Sequence, residues 1–231
     1  MENSNNKFLI VGSIITAGAL IAGAIIYTQK PANNAQTASV VPPDKQVKTM
    51  LATEKDHVLG NPDAELTLTL YFDINCGHCR SFHQTAQKLM EEYGKNGRLK
   101  WVSRHFPVLG PVSEKEAEAT ECAAEIGGNE KFWAYLDKLL EMPALAQDTL
   151  TNELVEIAQE TGIEKDKFEQ CLENNNYSER IIQASQEAVN LGAQGTPFAV
   201  ITNSVGEIIT TIPGALPYEQ IKELIDKLLA N

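Results

Sequence analysis

The chain has 231 residues, which is enough for one domain of ordinary size with additional segments. Its formal net charge of −12 argues against nucleic-acid binding, which requires clustered Lys and Arg to neutralise phosphates. Its four cysteines include one Cys-x-x-Cys pair and no second pair that could complete a zinc ribbon.

The N-terminal segment has the length and composition of a membrane span. Residues 8–27 carry no charge, and a helix of this length reaches about 30 Å, the thickness of the bilayer's hydrocarbon core. A cleaved signal peptide is the alternative, but the small-residue site Ala22-Gly23-Ala24 lies inside the apolar run rather than after it. We therefore predict one uncleaved transmembrane helix within residues 1–30, with the rest of the chain outside the cytoplasm.

A polar segment separates this anchor from the folded part. Residues 31–56 are rich in Asn, Gln, Thr, Ser and Pro and contain few large apolar side chains. Such a composition buries too little apolar surface to offset the entropy of the chain. We predict a flexible linker here and one folded domain over residues 57–231.

An apolar strand delivers two cysteines to the start of a helix. The run Leu66 to Phe72 alternates leucine with threonine and ends in two aromatic residues, which predicts a buried strand. Cys76-Gly77-His78-Cys79 follows, and the stretch Arg80 to Tyr93 then places apolar residues on one helical face. Cys76 is therefore expected at a helix N-terminus.

This position predicts a redox-active pair. Unpaired backbone N–H groups and the positive end of the helix dipole favour the thiolate of Cys76, and a protonated His78 would favour it further. Cys79, one helical turn later, can close a disulfide with Cys76 or resolve a mixed disulfide. The alternative is a metal-binding module in which Cys76, Cys79 and His83 hold a soft ion.

The next elements predict a β-α-β unit followed by a helical block. Leu99 to Phe106 is a second strand pattern, which implies a parallel strand pair joined through the helix. Residues 113–194 show several helical patterns and no strand, so we predict an inserted all-helical cap domain. Its first helix is expected to start behind Ser113 as N-cap, with Glu116 three residues later in the position of a capping box.

The C-terminal part predicts a β-hairpin and one helix. Phe198 to Thr202 and Glu207 to Ile212 are strand patterns separated by a short turn. Tyr218 to Ala230 then carries its apolar residues on one helical face, which is expected to pack on the sheet.

This order of elements resembles the thioredoxin fold with the helical insertion of DsbA-like thiol:disulfide oxidoreductases. The matching pieces, in chain order, are Gly60-Asn61-Pro62-Asp63-Ala64, Phe72-Asp73 before Cys76-Gly77-His78-Cys79, Arg104-His105-Phe106-Pro107, Gly195-Thr196-Pro197 and Pro213-Gly214-Ala215-Leu216-Pro217-Tyr218. The resemblance implies an α/β, thioredoxin-like fold in residues 57–231, after one N-terminal transmembrane helix.

The resemblance also implies roles for individual residues. Cys76 would be the attacking thiol and Cys79 the buried resolving thiol. Pro197 would be the cis-proline that lies against the cysteine pair, with the backbone of Thr196 holding a substrate strand. The Cys-Gly-His-Cys form is the one found in protein disulfide isomerases, whose potential is about −180 mV, against about −120 mV for DsbA and −270 mV for thioredoxin.

One position departs from the family pattern. Thioredoxin-like enzymes often carry a buried carboxylate six residues before the first cysteine, and this chain has Leu70 there. Asp73 is closer to the motif, but its role could be to cap the turn. Water or Glu65 are the remaining candidates for moving the proton of Cys79.

We predict structural rather than catalytic roles for the other two cysteines and for three of the histidines. Cys122 and Cys171 lie on separate helical stretches of the insertion, and in an oxidising compartment they are expected to form a structural disulfide. His57, His83 and His105 are expected to be solvated or satisfied within the core rather than catalytic.

Together these features predict a membrane-tethered thiol:disulfide oxidoreductase with its catalytic domain on the extracytoplasmic face. It would use no cofactor and act on cysteine-containing polypeptides through Cys76 and Cys79. The family resemblance implies a membrane quinone-linked thiol oxidase as the regenerating partner. The same pair could instead run as an isomerase or a reductase.

Overall fold

The computed structural model describes residues 39–40, 50–146, 150–174 and 176–230. The predicted membrane span, residues 8–27, lies outside these described residues. None of the helices within them is long and apolar enough to cross a bilayer.

One mixed sheet forms the centre of the described domain. Its strand order is β1-β6-β5-β3-β4-β2. The strands are β1 (Ser39–Val40), β2 (His57–Gly60), β3 (Leu66–Phe72), β4 (Leu99–His105), β5 (Phe198–Asn203) and β6 (Ile208–Pro213).

Strand β3 is the central strand that leads to the cysteine motif. It pairs in parallel with β4 and antiparallel with β5, and all seven of its residues are buried. Both faces of this strand are covered. None of its side chains is therefore exposed, although threonines alternate with large apolar residues along it. The predicted bounds of this strand are confirmed, as are the parallel pair and the hairpin of β5 with β6.

Six α-helices surround the sheet within the described residues. They are α1 (Gly77–Leu89), α2 (Pro111–Glu141), α3 (Leu150–Glu160), α4 (Lys165–Asn174), α5 (Ser178–Asn190) and α6 (Tyr218–Leu229), and a π-helical segment, Met90–Gly94, continues α1. Helices α2 to α5 lie between β4 and β5 in the chain, with no strand among their described residues. The predicted α/β fold with a helical insertion is therefore confirmed.

The start of the insertion differs from the sequence prediction. Helix α2 begins at Pro111, behind Gly110 with φ of 96°, because proline is favoured in the first helical turn and a positive φ suits glycine. Ser113 is thus inside the helix and its buried hydroxyl caps nothing. Glu116 is buried as well, so the predicted capping box is wrong. Two helical stretches make up α2 and meet at Gly128, whose backbone angles (φ 72°, ψ −168°) are not helical.

The folded domain extends further towards the N-terminus than residue 57. The backbone of Ser39–Val40 pairs with β6, and Met50 is buried with its amide 2.7 Å from the carbonyl oxygen of Gly206. Asp56 forms a two-pronged ion pair with Arg104, with both N–O distances 2.8 Å. The described parts of residues 31–56 are therefore in contact with the sheet.

A buried ion cluster joins the helical insertion to the sheet. Glu121 of α2 is 3.0 Å from His57 of β2, 3.2 Å from His105 of β4 and 2.5 Å from Arg180 of α5. Burial by itself raises the pKa of the Glu121 carboxyl, but the hydrogen bonds and charges of the two histidines outweigh it and hold this pKa well below its usual range. His57 and His105 are therefore both paired with a carboxylate inside the core through Nε2, while Nδ1 of His105 has no partner among the described residues.

Candidate active site

The cysteine motif lies where β3 passes into α1. Cys76 is the N-cap of α1, with extended backbone angles (φ −82°, ψ 119°), and is partly exposed. Cys79, one turn later, is only 1% exposed. Both are free thiols in the structure.

Asp73 organises the turn that leads to Cys76. One carboxylate oxygen accepts the amide of Asn75 at 2.9 Å, and the other accepts the amides of Val108 at 2.7 Å and Leu109 at 2.9 Å. The side chain is 1% exposed, so these bonds satisfy a carboxylate in the protein interior. Asp73 thereby fastens the motif to the loop that follows β4.

A second loop meets the motif from the start of β5. The peptide bond between Thr196 and Pro197 is cis, and the carbonyl oxygen of Thr196 lies 3.7 Å from the sulfur of Cys76. The amide of Gly214 donates to the carbonyl of Pro197 at 2.9 Å, which ties this loop to the end of β6. The structure thus brings Cys76, Cys79, Thr196 and Pro197 together.

The environment of Cys79 favours the neutral thiol. Burial raises the pKa of Cys79 strongly, and the neighbouring Cys76 acts in the same direction. Hydrogen bonds from the backbone of Asp73 and the side chain of Thr196 oppose this rise without cancelling it. The two thiols therefore differ. Cys76 is accessible to solvent, whereas Cys79 is enclosed and requires a nearby proton donor or acceptor to change its protonation state.

The two histidines near the motif have different positions. His78 is exposed in the first turn of α1. His83 is buried, with its ring nitrogen 2.7 Å from the carboxylate of Asp137 and its ring 5.0 Å from that of Trp101. Across the described residues, no group of three or more His, Cys, Asp or Glu is arranged to hold a metal ion. The metal-binding alternative has no support in this geometry, because His83 is engaged elsewhere.

The comparison with protein families decides the classification. A sequence model of the thioredoxin family matches residues 52–227, which is most of the chain. The chain belongs to the thioredoxin family. Within it, the chain resembles DsbA-like thiol:disulfide oxidoreductases.

Two relatives of different description are similar to parts of this chain. A putative protein-disulfide oxidoreductase of Rickettsia typhi is 28% identical over 170 residues, which covers 65% of this chain and 58% of the relative. A Na⁺/H⁺ antiporter NhaA of Herminiimonas arsenicoxydans is 33% identical over 147 residues, which covers 62% of this chain but only 22% of the antiporter. This chain thus spans about a fifth of the antiporter's length and somewhat more than half of the Rickettsia protein's.

A solved structure shows the same fold. The crystal structure of Wolbachia pipientis alpha-DsbA1 superposes with a TM-score of 0.69 at 24% sequence identity, over 78% of this chain and 93% of that one. The fold of this thioredoxin-family chain therefore includes the helical insertion, and not only the sheet that carries the cysteines.

Two residues near the motif were not identified from the sequence. Arg80 directly follows Cys79, and its guanidinium donates to the backbone carbonyls of Leu139 at 3.1 Å and Leu140 at 3.0 Å. Glu116 of α2 is fully buried, and neither of its carboxylate oxygens has a hydrogen-bond partner in the described chain. The spacing from Ser113 to Glu116 indicated a helix cap instead, and only the three-dimensional packing reveals the burial.

The second cysteine pair lies in the insertion. Cys122 of α2 and Cys171 of α4 form a disulfide with an S–S distance of 2.02 Å, across 49 residues of chain. Both are buried, and the bond connects two helices that also pack against each other. This disulfide is separate from the Cys76 and Cys79 pair.

Proposed function

We propose that this chain is a membrane-tethered, extracytoplasmic oxidoreductase that donates disulfides to folding polypeptides through Cys76 and Cys79. One observation carries the proposal: the reachable Cys76 thiol lies 3.7 Å from the Thr196 carbonyl, with the enclosed Cys79 thiol behind it. A substrate segment that pairs with the backbone at Thr196 would bring its own cysteine to Cys76.

The proposed reaction exchanges one disulfide for another. A substrate thiolate attacks the sulfur of Cys76 in the oxidised pair, the bond between Cys76 and Cys79 breaks, and the electron pair leaves on Cys79. A second substrate thiolate then attacks the mixed disulfide, so that the substrate gains a disulfide and Cys76 leaves as thiolate. Two electrons and two protons pass from the substrate to the pair.

Two features support an oxidising location. The disulfide between Cys122 and Cys171 is of a kind that persists outside the cytoplasm and is rare inside it. The uncharged residues 8–27 have the length of a membrane span. We therefore propose that an N-terminal helix anchors the chain and that the catalytic domain lies on the extracytoplasmic side.

Repeated turnover requires an oxidant for the reduced pair. We propose a membrane quinone-linked thiol oxidase, which would accept two electrons from Cys76 and Cys79 and restore their disulfide. The role assigned to this partner derives from the DsbA-like character of the chain. Reconstitution in membranes tests this partner. With such an oxidase present, the full chain should oxidise a reduced peptide through many turnovers. Without the oxidase, each chain should oxidise the peptide only once.

The direction of the reaction is tested by the reduction potential of the pair. We would equilibrate the full chain in glutathione buffers and quantify alkylated Cys76 and Cys79 by mass spectrometry. A potential between about −120 and −200 mV supports disulfide donation or isomerisation. Refolding of a scrambled substrate then separates these two activities.

Other outcomes would overturn the proposal. A potential near or below about −270 mV would assign the chain to reduction instead. Absence of a reversible two-electron transition would exclude the redox function itself. Fusion reporters on either side of residues 8–27 test the anchor and its orientation independently of the chemistry.

A further inference from the structure

The Cys79 thiol needs a proton partner that the family pattern does not supply in this chain. When the disulfide opens, Cys79 leaves as a thiolate in a site where it is 1% exposed. A buried thiolate is costly because it has lost its hydration. An acid six residues before Cys76 would be able to donate a proton to the Cys79 thiolate. This chain has the buried Leu70 at that position.

The other acids around the motif are already engaged or distant. Both oxygens of Asp73 accept backbone amides. Asp137 is paired with His83 at 2.7 Å. Glu65 precedes β3, is paired with Arg98 at 3.1 Å, and is separated from the motif by the whole strand, which spans about 20 Å.

Glu116 is the remaining acid, and its surroundings connect it to the cysteines. It is fully buried and neither oxygen has a partner among the described residues. The guanidinium of Arg80 interacts electrostatically with Glu116, Asp73 and both cysteines, and two of its nitrogens, Nε and Nη2, are also buried without partners. The same guanidinium therefore lies within electrostatic range of both the cysteine pair and Glu116.

We propose that Glu116 is the buried acid that protonates Cys79 when the disulfide opens and takes the proton back when it closes. As a substrate thiolate bonds to the sulfur of Cys76, the electron pair of the broken bond leaves on Cys79. The proton of Glu116 passes to that sulfur, and the resulting carboxylate is stabilised by the charge of Arg80.

The ionisation of Glu116 suits this role. Burial raises the pKa of its carboxyl to about 8, with the negative charge of Asp73 adding to the rise and Arg80 opposing it. Glu116 therefore holds a proton at neutral pH and can exchange it near the working pH, as general acid catalysis requires. The remaining titratable group that interacts electrostatically with Glu116 is Tyr135. Burial raises the pKa of Tyr135, so this residue keeps its proton. Its hydroxyl donates to the carbonyl of Leu154 at 2.9 Å.

The test measures how fast the disulfide opens at different pH values. The oxidised full chain is mixed with dithiothreitol, the reaction is quenched by alkylation, and the rate is expressed per dithiothreitol thiolate. We expect the wild-type rate to fall as the pH passes about 8, where Glu116 ionises. We expect E116Q to open at least about tenfold more slowly at neutral pH and to lose this pH break, since a positioned acid contributes about 10²–10⁴-fold.

Matched variants separate a proton-transfer role from a structural one. E114Q removes an exposed carboxylate from the first turn of the same helix and should behave as wild type. E116D keeps an acid and should retain a pH break. Infrared titration of the wild type should also show a carboxylic acid that stays protonated at neutral pH and is missing in E116Q.

The outcomes distinguish this inference from the function on which it rests. If oxidised wild type does not react with dithiothreitol at all, the proposed oxidoreductase function fails. If wild type reacts but E116Q shows the same rate and the same pH profile, only the assignment of Glu116 is overturned. A wild-type profile without any break near pH 8 would also overturn it, whether or not E116Q folds.

Discussion

The carbonyl oxygen of Thr196 lies 3.7 Å from the sulfur of Cys76. These two residues are 120 positions apart in the chain, and they meet because β5 returns beside β3 after the whole helical insertion. The contact places a backbone acceptor next to the thiol that solvent can reach. In the proposed reaction, a cysteine on a bound segment would therefore meet the Cys76 thiol and a backbone acceptor at the same point.

The difference in burial between the two thiols predicts which cysteine forms adducts. With glutathione disulfide, C79S should accumulate a mixed disulfide on Cys76, because no second thiol is present to resolve it. C76S should form its adduct at least about tenfold more slowly, because Cys79 is buried and its pKa is raised by that burial. Intact mass against time measures both. Equal rates in the two variants would contradict the assignment of Cys76 as the attacking thiol.

Asp73 should matter for stability as well as for the position of the motif. D73A removes the acceptor of three backbone amides, those of Asn75, Val108 and Leu109. Leaving such groups unpaired costs about 1–3 kcal/mol each when they stay buried, so we expect a loss of about 3 kcal/mol in the free energy of unfolding.

Urea unfolding followed by tryptophan fluorescence measures this loss. The control is D63A, which removes an exposed carboxylate before β3 and should change stability by no more than about 0.5 kcal/mol. Similar midpoints for D73A and wild type would show that water replaces the carboxylate without cost.

The disulfide of the insertion should contribute strongly to stability. Cys122 and Cys171 are separated by 49 residues, and closing a loop of this length is worth about 4 kcal/mol in the chain-entropy model. The double variant C122A/C171A should lose about this amount in urea unfolding. Its reactivity at Cys76 under native conditions should stay unchanged, because the two pairs are separate. A loss below about 1 kcal/mol would contradict this estimate. It would mean that residual contacts between the helices already restrict the unfolded chain when the disulfide is absent.

The sequence predicted the position of the cysteine motif better than its surroundings, for a physical reason. Strand β3 is hydrophobic over its whole length, and Cys-x-x-Cys follows it directly, so local patterns were sufficient to place Cys76 at the start of α1. The contacts of Thr196 and Asp73 depend on strand pairing over long distances. They became predictable only through the family resemblance or through the structure.

Glu116 shows where local patterns mislead. A glutamate three residues after a serine at a helix start is typical of a capping box. Here Gly110 and Pro111 move the helix start towards the N-terminus, so Glu116 lies within the helix and is fully buried. No local signal in one sequence indicates that a charged residue of α2 is fully buried.

The ion cluster of Glu121 predicts a loss of stability in acid. Burial raises the pKa of this carboxyl, but hydrogen bonds from His105 and His57 outweigh it, so the folded pKa is below the unfolded value. Its stabilisation is present above the unfolded value of 4.5 and is lost as the pH falls further.

His57 adds to the same trend. Burial lowers its pKa, so the unfolded chain takes up a proton below about pH 6.5 that the folded chain binds only in stronger acid. The combined contribution of Glu121 and His57 to the free energy of unfolding should therefore decrease as the pH falls from about 6.5 to 3. E121Q should show a shallower decrease, measured by urea unfolding at several pH values with E114Q as control. Parallel curves for wild type and E121Q would exclude the cluster as the cause.

Glu116 predicts the opposite trend on the alkaline side. Its folded pKa of about 8, raised by burial, lies above the unfolded value of 4.5. Between these two values the folded chain binds one more proton than the unfolded chain, so the contribution of Glu116 to stability falls as the pH rises from 4.5 to about 8 and is constant above.

The variant E116Q has no carboxyl group at this position that could ionise. Its stability should therefore not show the decrease that Glu116 causes between pH 4.5 and about 8. Relative to wild type, E116Q should gain on the order of 2–4 kcal/mol in the free energy of unfolding between pH 4.5 and 8, because each unit of pKa shift corresponds to 1.36 kcal/mol. The gain is a difference between two pH values, so any fixed cost of burying the amide cancels. If the stability difference between E116Q and wild type is independent of pH, Glu116 is ionised in the folded protein and cannot supply the proton to Cys79.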